Sequence, residues 1–464
     1  MRNITTISAF AVAAACGWSV PAAAQDADMA AVLAEIRELR GQVEYLNQRV
    51  ETLEGELAQA EAKADAATAA ATQANTAASE ATKVASAAAE SGTNVEWKGA
   101  PKFKGEGGFT FKPRGRLNYD FGLVNAPNST GRNEGFGSEA RRARLGVEGD
   151  IPGGFGYKFE VDFAGGEVDV TDAILTYKDG ALSVSAGQHN NFQSLEELSS
   201  SRFTSFIERA AFTDAFGFER RVGVSAEYSK KAFLIQGGLF TDNMADLPSK
   251  SWSADGRVVF MPKIGDTQLH LGGSVHYTDL NDAATTVRYR QRPLVHFTSE
   301  RFINTGSFSA DSELGFGLEG AAIKGPFHVA AEGYWQKVKR PMMLADPTFF
   351  GGYVEAGVFL TGGDKRGYKH GTFDRVKPKN PVGEGGFGAV QVNARYDYLD
   401  LTDAGIVGGT QNGYQLSLVW TPTDYTRLLF NYGKQSYDNA VFPAAGGKTS
   451  YSVNAVGVRA QVDF

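Results

Sequence analysis

Apolar and polar positions alternate one by one along YSVNAVGVRAQVDF, from Tyr451 to Phe464. Val456, Val458, Ala460, Val462 and Phe464 fall on one side of an extended chain, and Ala455, Gly457, Arg459, Gln461 and Asp463 on the other. An extended chain turns successive side chains to opposite faces, so this stretch predicts a strand with one apolar face and one mixed face. The same period recurs in sixteen segments: 109–121, 141–151, 156–164, 168–178, 181–187, 220–229, 231–240, 252–261, 267–278, 312–323, 327–338, 350–361, 386–398, 412–421, 425–435 and 450–464. Helical patterns are missing beyond about residue 100, so nothing is left to cover so much apolar strand surface. Turning that face to lipid solves the problem if the sheet closes on itself, because a closed barrel leaves no unpaired edge. The expected fold is all-β, a 16-stranded antiparallel transmembrane β-barrel over 109–464, preceded by an α-helical coiled coil.

The connections fit that count. IPGG at 151–154, KDG at 178–180, KGP at 324–326 and TPTD at 421–424 are short and rich in turn residues. Those at 122–140, 188–219, 279–311 and 436–449 are long. Short turns at one end and long loops at the other are the habit of outer-membrane barrels. Segment 362–385 breaks the rule, being long on the short-turn side. The final Phe464 resembles the aromatic that closes the last strand in the C-terminal outer-membrane insertion signal.

The first hundred residues read differently. Arg2, the apolar run Ile4 to Val20 and Ala22-Ala23-Ala24 predict a signal peptide over 1–24. Cys16, the only cysteine, lies inside it, and Ala13 stands where a lipidation site expects Leu. Within 25–90, Ile36, Val43, Val50 and Leu57 are spaced by seven, with Leu39, Leu46, Leu53 and Ala60 three residues after each. The register continues through Ala64, Ala67, Ala71, Ala74, Ala78, Ala81, Ala85 and Ala88. These are a and d positions of a coiled coil, and the first half favours two strands. Residues 91–108 (through VEWKGAPKFKGEGG) are expected to link the helix to the barrel.

No apolar run of about 18 residues follows the N-terminus, which argues against transmembrane helices. The net charge of -7 argues against a nucleic-acid partner. No Ser–His or Cys–His arrangement suggests catalysis, and no enzyme, metal or cofactor is expected. Within the barrel, alternation turns Leu117, Tyr119 and Phe121 outward and Lys112, Arg114 and Arg116 inward. It likewise turns Ala143, Leu145 and Val147 outward, with Arg142 and Arg144 inward. Arg288, Arg290 and Arg292 share one side of an extended loop segment. Segment 362–385 carries Lys365, Arg366, Lys369, Arg375, Lys377 and Lys379 against three carboxylates. Planar, permanently charged guanidiniums suit bidentate contact with oxyanions, and rings of Arg or Lys line anion pores. Inward carboxylates, among them Asp120, Glu148, Glu160, Asp162, Glu319, Glu332 and Glu355, leave open a lumen of paired charges and weak selectivity.

RRARLGVEGDIPGGFGYKFEVDFAGG, VDVTDAILTYKDG, GQHNNFQSLEELSSSRFTSFIERA and RRVGVSAEY follow one another here. VRYRQRP, GTFDRVKPKNP and GAVQVNARYDYLDL come later. In this order the blocks resemble the phosphate- and polyphosphate-selective porins O and P. The resemblance implies a sixteen-stranded homotrimer in the outer-membrane lipid, with two outer loops and one long periplasmic turn folded into the lumen. That would place 362–385 inside. It also implies passage of small anions, phosphate or polyphosphate first, past lumenal cations that include Arg202. Asp172 and Ser183, on neighbouring strands, are candidates to take the proton and an oxygen of hydrogen phosphate. Two other readings stand beside this one. The first is a porin for another solute such as a sugar or organic acid; the second is an envelope tether in which the coiled coil contacts peptidoglycan.

Overall fold

The computed structural model describes residues 94–281 and 285–464, together with 71–80 and a scatter of positions between 39 and 83. The expected signal peptide, Ile36, Ala60, Ala67, Ala81, Ala85 and Ala88 lie outside the described residues. The chain divides into two units, Met1–Ala69 and Ala70–Phe464. In the first, Leu39, Val43, Leu46, Val50, Leu53 and Leu57 are helical and each is more than half exposed. In the second, residues 71–80 are also helical.

The second unit is dominated by one antiparallel sheet. Its wall runs β1 (Thr110–Asn125), β2 (Gly135–Ile151), β3 (Phe155–Asp162), β4 (Asp169–Asp179), β5 (Leu182–Asn190), β6 (Arg220–Lys230), β7 (Phe233–Phe240) and β8 (Trp252–Phe260). It continues as β9 (Thr267–Asp279), β10 (Ser312–Lys324), β11 (Phe327–Lys339), β12 (Thr348–Phe359), β13 (Ala389–Asp403), β14 (Ile406–Thr423), β15 (Thr426–Asp438) and β16 (Tyr451–Asp463). Each strand pairs with the next, and β16 returns to β1 with Val456 opposite Leu123 and Val462 opposite Leu117. The result is a closed barrel of 16 strands.

All the expected strands are present, several longer than the sequence pattern predicts. The loop expected between 398 and 412 is instead a tight turn at Ala404-Gly405, because β13 and β14 keep pairing to Asp403 and Ile406. Leu117, Tyr119, Phe121 and Leu123 stand exposed on the outer face, while Arg116, Asn118 and Asp120 between them are buried inside. The expected linker is partly ordered. Asn94–Lys98 and Ala100–Lys104 form a hairpin whose second strand pairs onto β1 through Phe103 and Phe111.

Three connections fill much of the lumen. Loop 191–219 carries Leu195, Phe206, Ile207 and Phe212, all buried. With Tyr289, Val295 and Phe302 of loop 280–311, they form a core with inward residues of β11–β16 such as Tyr334, Tyr353 and Leu399. Burying each large apolar side chain contributes about 1.5–3 kcal/mol, which explains why these loops turn inward instead of into water. The third is segment 360–388, whose small hairpin pairs Gly367–Lys369 with Thr372–Asp374. At its tip the Gly371 carbonyl accepts from Arg257 Nη2 of β8 at 2.9 Å. Gly371 has φ +73°, and a Cβ there would stand 2.7 Å from Leu234. Tyr368 Oη meets His270 Nδ1 of β9 at 2.7 Å, and Phe373 N donates to Ser199 Oγ at 3.1 Å. The long segment on the short-turn side therefore lies inside the barrel.

Candidate functional site

Two of the barrel's cavities border β1–β4 and the start of β6. On β1 and β2 the register sets Arg116 opposite Arg144 and Asn118 opposite Arg142, so these cations share the inner face. The next pair is Tyr119 with Ala140, which leaves Arg141 as an extra residue. Such a bulge re-aims a side chain. Strict alternation would send Arg141 to lipid; here its Nε and Nη2 donate to Glu208 at 2.9 and 3.1 Å.

The cations follow one another down this wall. Arg142 lies near Arg141, Arg144, Arg459 and the Glu208 carboxylate but forms no ion pair among the described residues; its Nη1 lacks a hydrogen-bond acceptor. Arg144 donates to Asp162 at 2.7 Å and Glu160 at 3.2 Å. Arg116 donates to Ser201 Oγ at 2.6 Å and lies 3.9 Å from Glu160. Arg114 reaches Glu160 at 3.4 Å and pairs with Glu148. Lys112 stands beside Glu148, Arg114, Arg202 and Arg375. Arg202 approaches Asp463 at 3.5 Å, and Arg375 pairs with the same carboxylate.

A cavity of about 690 Å³ opens above this file toward the long-loop end, lined by Arg141, Arg142, Arg144, Arg209, Arg220 and Arg292 against Asp169, Glu197, Glu208, Asp214 and Glu219. Glu208 is held well below the usual carboxylate range; burial opposes this, but Arg141, Arg459 and Arg142 outweigh it. Burial pushes Glu197 up despite Arg209. A second cavity, about 440 Å³, is lined by Arg288, Arg290, Arg292 and Arg301 with Asp214 and Glu313. Burial and the neighbouring guanidiniums, Arg292 foremost, lower Arg301 to about 10. The three loop arginines read from the sequence thus meet in one cavity, joined by Arg301, which the sequence pattern did not single out.

Other expected residues are placed differently. Asp172 and Ser183 do not share a site. Ser183 lies opposite Lys178, six residues along β4 from Asp172. Six strand residues span about 20 Å. Asp172 is also taken up by Lys158 at 2.6 Å and Arg220 at 2.9 Å. In the infolded segment, Arg366 is buried over the Phe373 ring at 4.5 Å, whereas Lys365, Lys377 and Lys379 are exposed.

Further lumenal residues, outside the set expected to bind anions, hold the loops in place. The alternation alone turns them inward. Arg395 pairs with Glu355 and Glu196 at 2.7 Å each. Arg427 donates to the Arg202 and Thr204 carbonyls at 2.6 and 2.8 Å. Glu332 accepts from the Leu195 and Glu196 amides at 2.8 and 2.7 Å.

Comparison with known proteins follows this architecture. A protein of Caulobacter vibrioides described only as uncharacterized is 46% identical over 391 residues, covering 81% of this chain and 78% of its own. Porin O of Pseudomonas aeruginosa is 25% identical over 377 residues, covering 71% and 84%. Among solved structures, an anion-selective porin from Comamonas acidovorans superposes with a TM-score of 0.52 at 14% identity, over 77% of this chain and 100% of that one. OmpT of Vibrio cholerae superposes at 0.51 and 13% identity, over 77% and 98%. These two likenesses show the fold. Residues 111–464 match the family described as phosphate-selective porin O and P, and the chain therefore belongs to that family of outer-membrane porins, a channel and not an enzyme.

Proposed function

We propose that this porin passes small anions by diffusion, phosphate first, along the file Arg142, Arg144, Arg116, Arg114 and Lys112. The observation that carries the reading is Arg142, buried on the passage wall with no carboxylate of its own among the described residues. Guanidiniums along a narrow path replace the hydration an anion sheds, and interleaved carboxylates keep binding weak enough for release. Glu160, shared among Arg114, Arg116 and Arg144, plays that part. Family membership and the Porin O relative support phosphate as the solute. The test is chloride current through the channel in a planar bilayer with phosphate titrated in. Block at sub-millimolar phosphate, with sulfate much weaker, supports the reading; no block by phosphate refutes it.

Further parts of the proposal concern the assembly. The long loops face outward from the cell, and 1–24 is a signal peptide cleaved after Ala24. The barrel is a homotrimer, and the helix over 25–90 is a periplasmic coiled coil. The apolar stripe Leu39, Val43, Leu46, Val50, Leu53 and Leu57, helical and exposed on a single copy, supports self-association. The same stripe favours a second role as an envelope tether contacting peptidoglycan. A chain lacking 25–90 that keeps full conductance but no longer co-sediments with peptidoglycan would support that role.

A further inference from the structure

The 690 Å³ cavity at the long-loop end is far larger than inorganic phosphate needs. A tetrahedral oxyanion takes about the room of two or three waters, on the order of 60–90 Å³. The cavity instead falls in the range of about 300–1,000 Å³ that holds whole small molecules. Its lining has three chemistries. Arg142, only 6% exposed, offers an uncommitted guanidinium beside Arg144. Phe218, Val168 and Met244 supply apolar surface. Glu197 and Glu219 supply carboxylate oxygens; Glu197 is held by Arg209 at 3.2 Å and Glu219 by Arg221 at 3.3 Å, which leaves acceptor capacity on each.

We infer that this cavity is a binding site for phosphate monoesters whose body carries hydroxyl groups, such as sugar phosphates. The phosphate group is held by Arg142 and Arg144. The carbon skeleton lies on Phe218, Val168 and Met244. The hydroxyls donate to Glu197 and Glu219. The inference rests on the anion-passage reading and names a class of solute for it.

The experiment uses the full chain reconstituted in planar bilayers, with glucose 6-phosphate, butyl phosphate or inorganic phosphate added from the long-loop side. Glucose 6-phosphate is expected to block chloride current at about tenfold lower concentration than either of the others. Butyl phosphate controls for the ester alone, because its body has no donors. Arg142→Gln is expected to remove the advantage of glucose 6-phosphate. Glu219→Gln, at a position that is partly exposed, is the second variant and leaves folding out of the comparison; it is expected to weaken glucose 6-phosphate block relative to inorganic phosphate block. Equal block by glucose 6-phosphate and inorganic phosphate, in a channel that phosphate does block, overturns the inference alone. A channel that no phosphate species blocks overturns the anion-passage reading and the inference with it.

Discussion

Arg459 of the last strand donates two hydrogen bonds to Asp120 of the first barrel strand, each 2.6 Å, across the seam where the barrel closes. Its Nη2 also reaches Glu208 of the infolded loop at 2.9 Å. One guanidinium thus ties together the two ends of the barrel and the loop that narrows it. Removing one partner of a buried pair strands the other charges, at a cost of about 3–5 kcal/mol. Arg459→Ala is expected to lower the melting temperature of the folded barrel and to loosen the loop, seen as noisier single-channel current. Unchanged melting and quiet current would show that the seam does not depend on this residue.

The apolar loop core predicts a conductance phenotype. Phe212 is fully buried against Tyr334 and Tyr353, with ring centroids 6.0 and 6.5 Å away. Truncating such a ring costs about 3–5 kcal/mol where the site cannot collapse. Phe212→Ala is expected to free loop 191–219 from the wall and raise single-channel conductance, with anion preference reduced.

The hairpin tip at Gly371 predicts a second route to a wider pore. It spans the lumen to Arg257, which also holds Glu319 at 2.8 and 2.6 Å. Replacing residues 367–374 by two glycines is expected to raise conductance about twofold, because infolded segments set pore radius. Equal conductance would place the narrowest point elsewhere, at loop 191–219.

Much of this architecture is legible in the sequence, because the physics is local. Period-two alternation marks the strands and sends Arg114, Arg116, Arg142 and Arg144 inward without any tertiary information. The length of 362–385 on the short-turn side flags an unusual segment. What the alternation cannot show is register. Arg141 escapes because a bulge, which depends on the partner strand, turns it inward. Asp172 and Ser183 look like neighbours because adjacent strands bring them close in sequence, yet the pairing sets them far apart. Ion pairing is equally hidden. Asp172, Glu160 and Asp463 stand among cations drawn from distant parts of the chain, so which guanidiniums remain free emerges only in three dimensions.

Acidity should sharpen anion preference. Burial raises the pKa of Glu197 and of Glu219, so both take up protons above the usual carboxylate range as pH falls. Each proton removes a negative charge from the cavity wall and leaves the arginines charged. Reversal potentials in a salt gradient are expected to shift further toward anions as pH falls from neutral toward the usual carboxylate range. The double variant Glu197→Gln, Glu219→Gln should show that preference already at neutral pH and lose most of the shift. A shift kept in full by the double variant would show that these two carboxylates do not cause it.

The proposed passage is electrically a cation-lined path in a chain whose net charge is -7. Reversal potential across a potassium chloride gradient tests it most directly, for the native channel and for Arg142→Gln. Chloride preference is expected in the native channel, with a clear loss of it in the variant, since Arg142 forms no ion pair among the described residues. Preference for potassium, or an identical reversal potential in both proteins, would contradict it.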